Sequence, residues 1–140
     1  MMLTLRRAHV EEMFAHAREA NPAECCGLVG GSVEEAEARS VYRLRNVARE
    51  PLSAYEAAPE ELFAAQKLMR ERDEHLLAIY HSHPRSEEPL PSAEDVRLAY
   101  YPSAFYLIIG LSGAQAALRA FRLNEREGSW KQVEYSITDA

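Results

Sequence analysis

Leu76-Leu77-Ala78-Ile79-Tyr80-His81-Ser82-His83-Pro84 is the stretch on which the reading of this chain turns. Leu76 to Tyr80 form an unbroken apolar run, as in a central strand covered on both faces. In a strand, residues i and i+2 point to the same side. His81 and His83 therefore aim two imidazoles at one point, with Ser82 turned away. Pro84 stops the strand and sends the chain into a loop, where functional groups are usually exposed. Two imidazoles at this spacing suit a divalent ion of borderline softness, zinc foremost. Two surface histidines at a strand end would show the same letters.

The next segment, Pro91-Ser92-Ala93-Glu94-Asp95, favours the metal. Asp95 completes a set of two histidines and one carboxylate and leaves a fourth zinc position to water, as catalytic zinc sites do. Ser-x-x-Asp is also a helix capping box. The two readings are compatible if Ser92 caps through its backbone position while its hydroxyl faces the site. The same donor set is the facial triad of a non-haem iron enzyme. Such sites normally sit in all-β folds, and the clear helices of this chain speak against one.

Outward from this stretch, His9 to Ala20 places Val10, Met13, Phe14 and Ala17 at helical spacing, and Asn21-Pro22 closes the helix. Cys25 to Val29 reads as a buried strand ended by a turn at Gly30-Gly31. Glu37 to Val47 roughly alternates, as an antiparallel strand would. Pro59 to Arg72 has proline in its first turn, acids early, basic residues late and an amphipathic face, which together define a helix. Ser92 can cap a short helix reaching about Tyr100. Ala104 to Leu111 is another buried strand, Ser112-Gly113 a turn, Ala114 to Leu123 a strand pairing back, and Trp130 to Ile137 a last strand. The order is strand, helix, strands, helix, strand, short helix, strands. A single α+β domain over residues 1–140 follows, its partly antiparallel sheet covered by helices.

With 47% apolar and 27% charged residues, the chain has the composition of an ordinary globular protein. Its net charge of −6, from 22 acids against 16 Lys plus Arg, argues against a sequence-independent grip on nucleic acid. It argues more weakly against an anionic membrane surface. No apolar run approaches the roughly 20 residues of a membrane span, and Met-Met-Leu-Thr-Leu-Arg-Arg lacks the order of a signal peptide. A cytoplasmic protein is expected. Cys25 and Cys26 are adjacent and so poorly placed to staple distant parts of the fold, and free thiols suit a reducing compartment. They also invite a Cys–His protease reading, but an apolar run makes them inert filler.

These elements together resemble the JAMM (MPN-plus) metalloproteases. The family pattern of a distant Glu, His-x-His-Pro and Ser-x-x-Asp stands here as Glu24, His81-Ser82-His83-Pro84 and Ser92-Ala93-Glu94-Asp95. Pro22 to Leu28 looks like the family's Glu-bearing strand, Tyr55 to Leu62 like the segment before its second helix, and Phe105 to Gly110 like its following strand. One residue more than the family's usual spacing separates His83 from Asp95, and it falls in the loop Arg85 to Leu90.

The resemblance implies the MPN fold, an α/β/α arrangement with a curved, mixed, largely antiparallel sheet, similar to cytidine-deaminase-like architecture. It implies one Zn2+ held by His81, His83 and Asp95, Glu24 as general base and Ser92 as donor to the oxyanion. Without it, Glu24 reads as an ordinary exposed acid at a strand start. The implied reaction cleaves the amide or isopeptide bond after the C-terminal Gly-Gly of a ubiquitin-like or sulfur-carrier protein, as in compact prokaryotic members. Scaffolds sharing the fold have typically lost metal ligands, and a DNA-repair-associated group shares the motif. Retention of all five residues and the acidic balance weigh against both. The assembly is left open between a monomer and a homodimer.

Overall fold

The structure, a computed structural model, describes residues 2–139. Its elements are β1 (Leu3–Arg6), α1 (Arg7–Ala20), β2 (Cys26–Ser32), β3 (Glu37–Leu44), α2 (Pro59–Glu71) and β4 (His75–His83). They are followed by α3 (Ala93–Arg97), β5 (Phe105–Gly110), β6 (Ala117–Asn124), β7 (Ser129–Val133) and β8 (Tyr135–Thr138).

The strands form one sheet in the order β7-β6-β5-β4-β2-β3-β1-β8. The β4–β5, β1–β3 and β1–β8 pairs are parallel and the other pairs antiparallel. β7 and β8 stand at opposite ends of that order, yet only Glu134 separates them in the chain. In a flat sheet, steps of about 4.8 Å would set those edges roughly 34 Å apart, some ten times the reach of one residue. The sheet is therefore rolled until its edges approach. The Tyr135 hydroxyl, donating to the Leu118 carbonyl of β6 at 2.6 Å, fastens the seam.

Apolar side chains fill both faces. On one, Val10, Met13 and Ala17 of α1 pack with Leu3, Leu5, Leu77, Tyr80, Leu107 and Ile109. On the other, Ala65 and Met69 of α2 and Val96 of α3 pack with Leu28, Ile79, Ile108 and Phe121. Each such large side chain, fully buried, contributes about 1.5–3 kcal/mol. Among the described residues no helix is long and apolar enough to cross a membrane.

Three expectations need correction. Gly30-Gly31 does not end β2, which runs on to Ser32 with a register slip at these glycines. A Cβ on Gly31 would stand 2.1 Å from the Glu37 carbonyl oxygen, so the glycines serve a close strand approach and a bulge. Trp130 to Ile137 is not one strand, because the chain crosses the seam at Glu134. The short helix stops at Arg97 rather than near Tyr100. Pro102 disfavours helical backbone at Tyr101, which leaves that helix little room.

Candidate active site

His81 and His83 occupy the last turns of pleat in β4, held between β2 and β5. Their Nε2 atoms are 3.1 Å apart. Asp95, in the first turn of α3, brings Oδ1 to 3.2 Å from His81 Nε2 and Oδ2 to 3.1 Å from His83 Nε2. A complete capping box sets this carboxylate: the Ser92 N–H donates to Asp95 Oδ2 at 2.8 Å, and the Asp95 N–H to Ser92 Oγ at 3.0 Å. Ser92 thus caps with its hydroxyl oxygen and not through its backbone position alone. That oxygen accepts and still carries a proton to donate.

The loop between the two motifs packs down on the body of the fold. Pro89 is fully buried, and the Ser112 N–H donates to the Ser86 carbonyl at 3.2 Å. A Cβ at Gly110 would meet Ser86 O at 2.5 Å, so glycine is what lets this loop lie on the end of β5.

Glu24 lies just before β2, and its burial corrects the reading of it as an exposed strand-start acid. Two hydrogen bonds clamp its segment beside the histidine strand: Cys25 N–H to Ser82 Oγ at 2.8 Å and Ser82 N–H to Cys25 O at 3.2 Å. One Glu24 carboxylate oxygen and a ring nitrogen from each of His81 and His83 all lie within 4.8 Å of one another. Burial pushes the Glu24 carboxyl up to about 7, the neighbouring Asp95 adds to this and His83 opposes it.

Burial also opposes charge on Asp95, but hydrogen bonds from His81 and His83 outweigh it and hold this carboxyl well below the usual range. Burial lowers His81; at His83 it acts the same way, but Asp95 overrides it and the net shift is upward. Tyr55, which the motifs did not single out, stacks on the His81 ring with centroids 4.5 Å apart and planes at 25°.

The donor set fits a metal. Around a tetrahedral ion with bonds of about 2.0–2.1 Å, ligand atoms stand about 3.3–3.4 Å apart. The two Nε2 atoms, 3.1 Å apart, each lie 3.1–3.2 Å from a different Asp95 oxygen, contacts within a few tenths of that. Two imidazole nitrogens turned on each other at 3.1 Å cannot satisfy one another and Asp95 with neutral-ring protons alone.

A cavity of about 440 Å³ opens beside Asp95 and runs under α2, past Tyr55, Leu62, Met69, Leu76 and Ile79. Its walls are largely apolar, and Glu94 and Asp95 form an acidic end. Cys25 and Cys26 are buried, and burial pushes their thiols up to about 11 and about 12, far from a nucleophilic thiolate. His16 Nδ1 pairs with the Tyr80 hydroxyl at 2.6 Å; His9 lies in α1, and His75 starts β4 at the end opposite the cluster.

Fold and site together define an isopeptidase-like hydrolase of the JAMM type. The chain belongs to the family described as prokaryotic homologs of the JAB domain, which it matches over residues 6–124. It is 35% identical over 111 residues to a desampylase of Haloferax volcanii, covering 76% of this chain and 79% of the relative. It is 38% identical over 118 residues to a probable TtuB-protein conjugate cleaving protease of Thermus thermophilus, with 84% and 76% covered. To a CysO-cysteine peptidase of Mycobacterium tuberculosis it is 32% identical over 123 residues, with 87% and 83% covered. A JAB1/MPN domain protein from Archaeoglobus fulgidus shares the fold, with a TM-score of 0.62, 18% identity and 99% of both chains covered.

Proposed function

We propose that this enzyme hydrolyses the amide or isopeptide bond after the C-terminal Gly-Gly of a small ubiquitin-like or sulfur-carrier protein. His81, His83 and Asp95 hold one zinc ion, Glu24 is the general base and Ser92 the oxyanion donor. The observation that carries this reading is the close cluster of His81, His83 and Asp95 with the buried Glu24 carboxylate beside it.

When bound, zinc supplies Lewis acidity and lowers the pKa of a ligand water to about 7. Glu24 would take a proton from the attacking water and hand it to the leaving amine. Such acid–base help typically contributes about 10²–10⁴-fold. The Ser92 O–H, not consumed by its capping bond, donates to the carbonyl oxygen as charge develops there.

Two features support an extended Gly-Gly tail as substrate. The cavity beside Asp95 is largely apolar. Val47 N–H donates to Glu56 O and Ala58 N–H to Arg45 O, at 2.8 and 2.9 Å, so Glu56 turns its backbone toward the β3 end. Tyr55 and Ala57 then direct theirs the other way, as an edge for strand addition that glycines approach most closely. A reducing cytoplasm accords with the free thiols.

The test is cleavage by zinc-loaded protein of a carrier fused to lysine against a carrier joined to cysteine, with metal analysis of the same sample. Release of the carrier from either adduct supports the reading and names the product. No cleavage of either turns the assignment to a scaffold. Iron with oxygen-dependent turnover turns it to a non-haem iron enzyme.

A further inference from the structure

Asn46 lies just past β3, and no sequence motif marks it. Its side-chain amide makes four hydrogen bonds, the full capacity of the group. Nδ2 donates to the Glu24 and Ala54 carbonyls at 2.9 and 3.0 Å, and Oδ1 accepts the Ala48 and Glu56 N–H groups at 2.9 and 3.0 Å. The partners belong to two segments with separate duties. One carries Glu24. The other is the loop that carries Tyr55 onto the His81 ring and supplies Ala54, Glu56 and Ala57 to the cavity wall.

Between β3 and α2 this connection has a single isolated bridge, Asn46 to Ala57, and otherwise no strand or helix. Holding such residues in one backbone state costs conformational entropy that specific hydrogen bonds must offset. The Glu24 N–H reaches the same loop, donating to the Pro51 carbonyl at 2.8 Å. The Glu24 segment and the loop are thus joined through one side chain that touches none of the reacting groups, and the loop in turn meets the histidine strand through Tyr55.

We infer that Asn46 is a positioning residue that holds the Glu24 segment and the Tyr55 loop in one register, and so sets the base against the reacting bond. This inference rests on the function proposed above. Its chemistry is specific to an amide. Aspartate offers the two acceptor bonds but no donor for the Glu24 and Ala54 carbonyls, and alanine offers neither.

The test uses the full-length zinc-loaded enzyme with Asn46→Ala and Asn46→Asp. Both variants are expected to bind zinc at the wild-type stoichiometry, because His81, His83 and Asp95 are untouched. Misplacement by about 1 Å can cost about 10²-fold in rate, so kcat should fall by roughly ten- to 10²-fold in both. Asn46→Ala should also raise KM, since its loop loses both anchors, whereas Asn46→Asp should stay near the wild-type KM. Amide exchange gives a readout independent of turnover. In Asn46→Ala the Ala48 and Glu56 N–H groups should lose protection while that of Leu107, in β5, is kept. Wild-type kcat in Asn46→Asp, or unchanged protection of Ala48 and Glu56 in Asn46→Ala, overturns the inference. If the wild-type enzyme cleaves neither carrier adduct, the proposed function fails, and exchange alone then decides whether Asn46 braces the loop.

Discussion

The Ser82 hydroxyl oxygen accepts the Cys25 N–H at 2.8 Å, and this bond fastens the segment bearing Glu24 to the strand bearing His81 and His83. Strand alternation is what makes it possible. The two imidazoles take one side of β4, and the fully buried Ser82 between them turns away from it, to the Cys25 N–H just before β2.

Ser82→Ala removes that acceptor and leaves a buried N–H without a partner, a loss of about 1–3 kcal/mol. The expected outcome is a lower urea midpoint with an unchanged m-value, and zinc still bound. Equilibrium unfolding of wild type and variant, at matched zinc occupancy, measures it.

Glu24→Gln keeps the shape of the side chain and removes the base. Turnover should fall by about 10²–10⁴-fold while zinc content is retained. Wild-type activity in this variant would show that another group moves the proton.

The raised carboxyl of Glu24 also marks stability of the metal-free protein. Burial lifts it from an ordinary value of 4.5 to about 7. Between these values the folded state holds a proton that the unfolded chain has lost, so this group's contribution falls as pH rises through that window. The wild type should therefore lose more stability than Glu24→Gln between pH 4.5 and pH 7. Parallel pH profiles for the two proteins would contradict the assignment.

His83→Ala and Asp95→Ala should weaken zinc binding itself, which titration of the metal-free variants measures. Asp95→Ala additionally removes the acceptor of the Ser92 N–H and should fray α3. Loss of metal from His83→Ala with α3 intact separates ligation from capping.

Replacing Cys25 and Cys26 together with alanine should leave kcat within about two-fold of wild type, since burial holds both as thiols. Loss of turnover in a folded, zinc-loaded double variant would revive a thiol mechanism.

What could be read from sequence was local. An apolar run ending in His-x-His reveals a strand and the side its rings share, because alternation needs no distant partner. Ser-x-x-Asp reveals a helix start for the same reason. Gly30 and Gly31 read as a turn because their cause, the Glu37 carbonyl of a neighbouring strand, lies outside the segment. Trp130 to Ile137 read as one strand because only the roll of the whole sheet shows that Glu134 crosses its seam. Asn46 and Tyr55 carried no motif, since their partners at Glu24 and His81 are brought to them by the fold. Glu24 on its own letters was an exposed acid, and it took the family pattern to suggest a role that needs burial.

Diffraction at the zinc absorption edge, from crystals of the zinc-loaded enzyme, probes the site most directly. One anomalous peak is expected, about 2.0–2.2 Å from both Nε2 atoms and an Asp95 oxygen, with Glu24 outside bonding distance. A peak elsewhere in the molecule, or Glu24 bound to the ion in place of Asp95, would contradict the assignment.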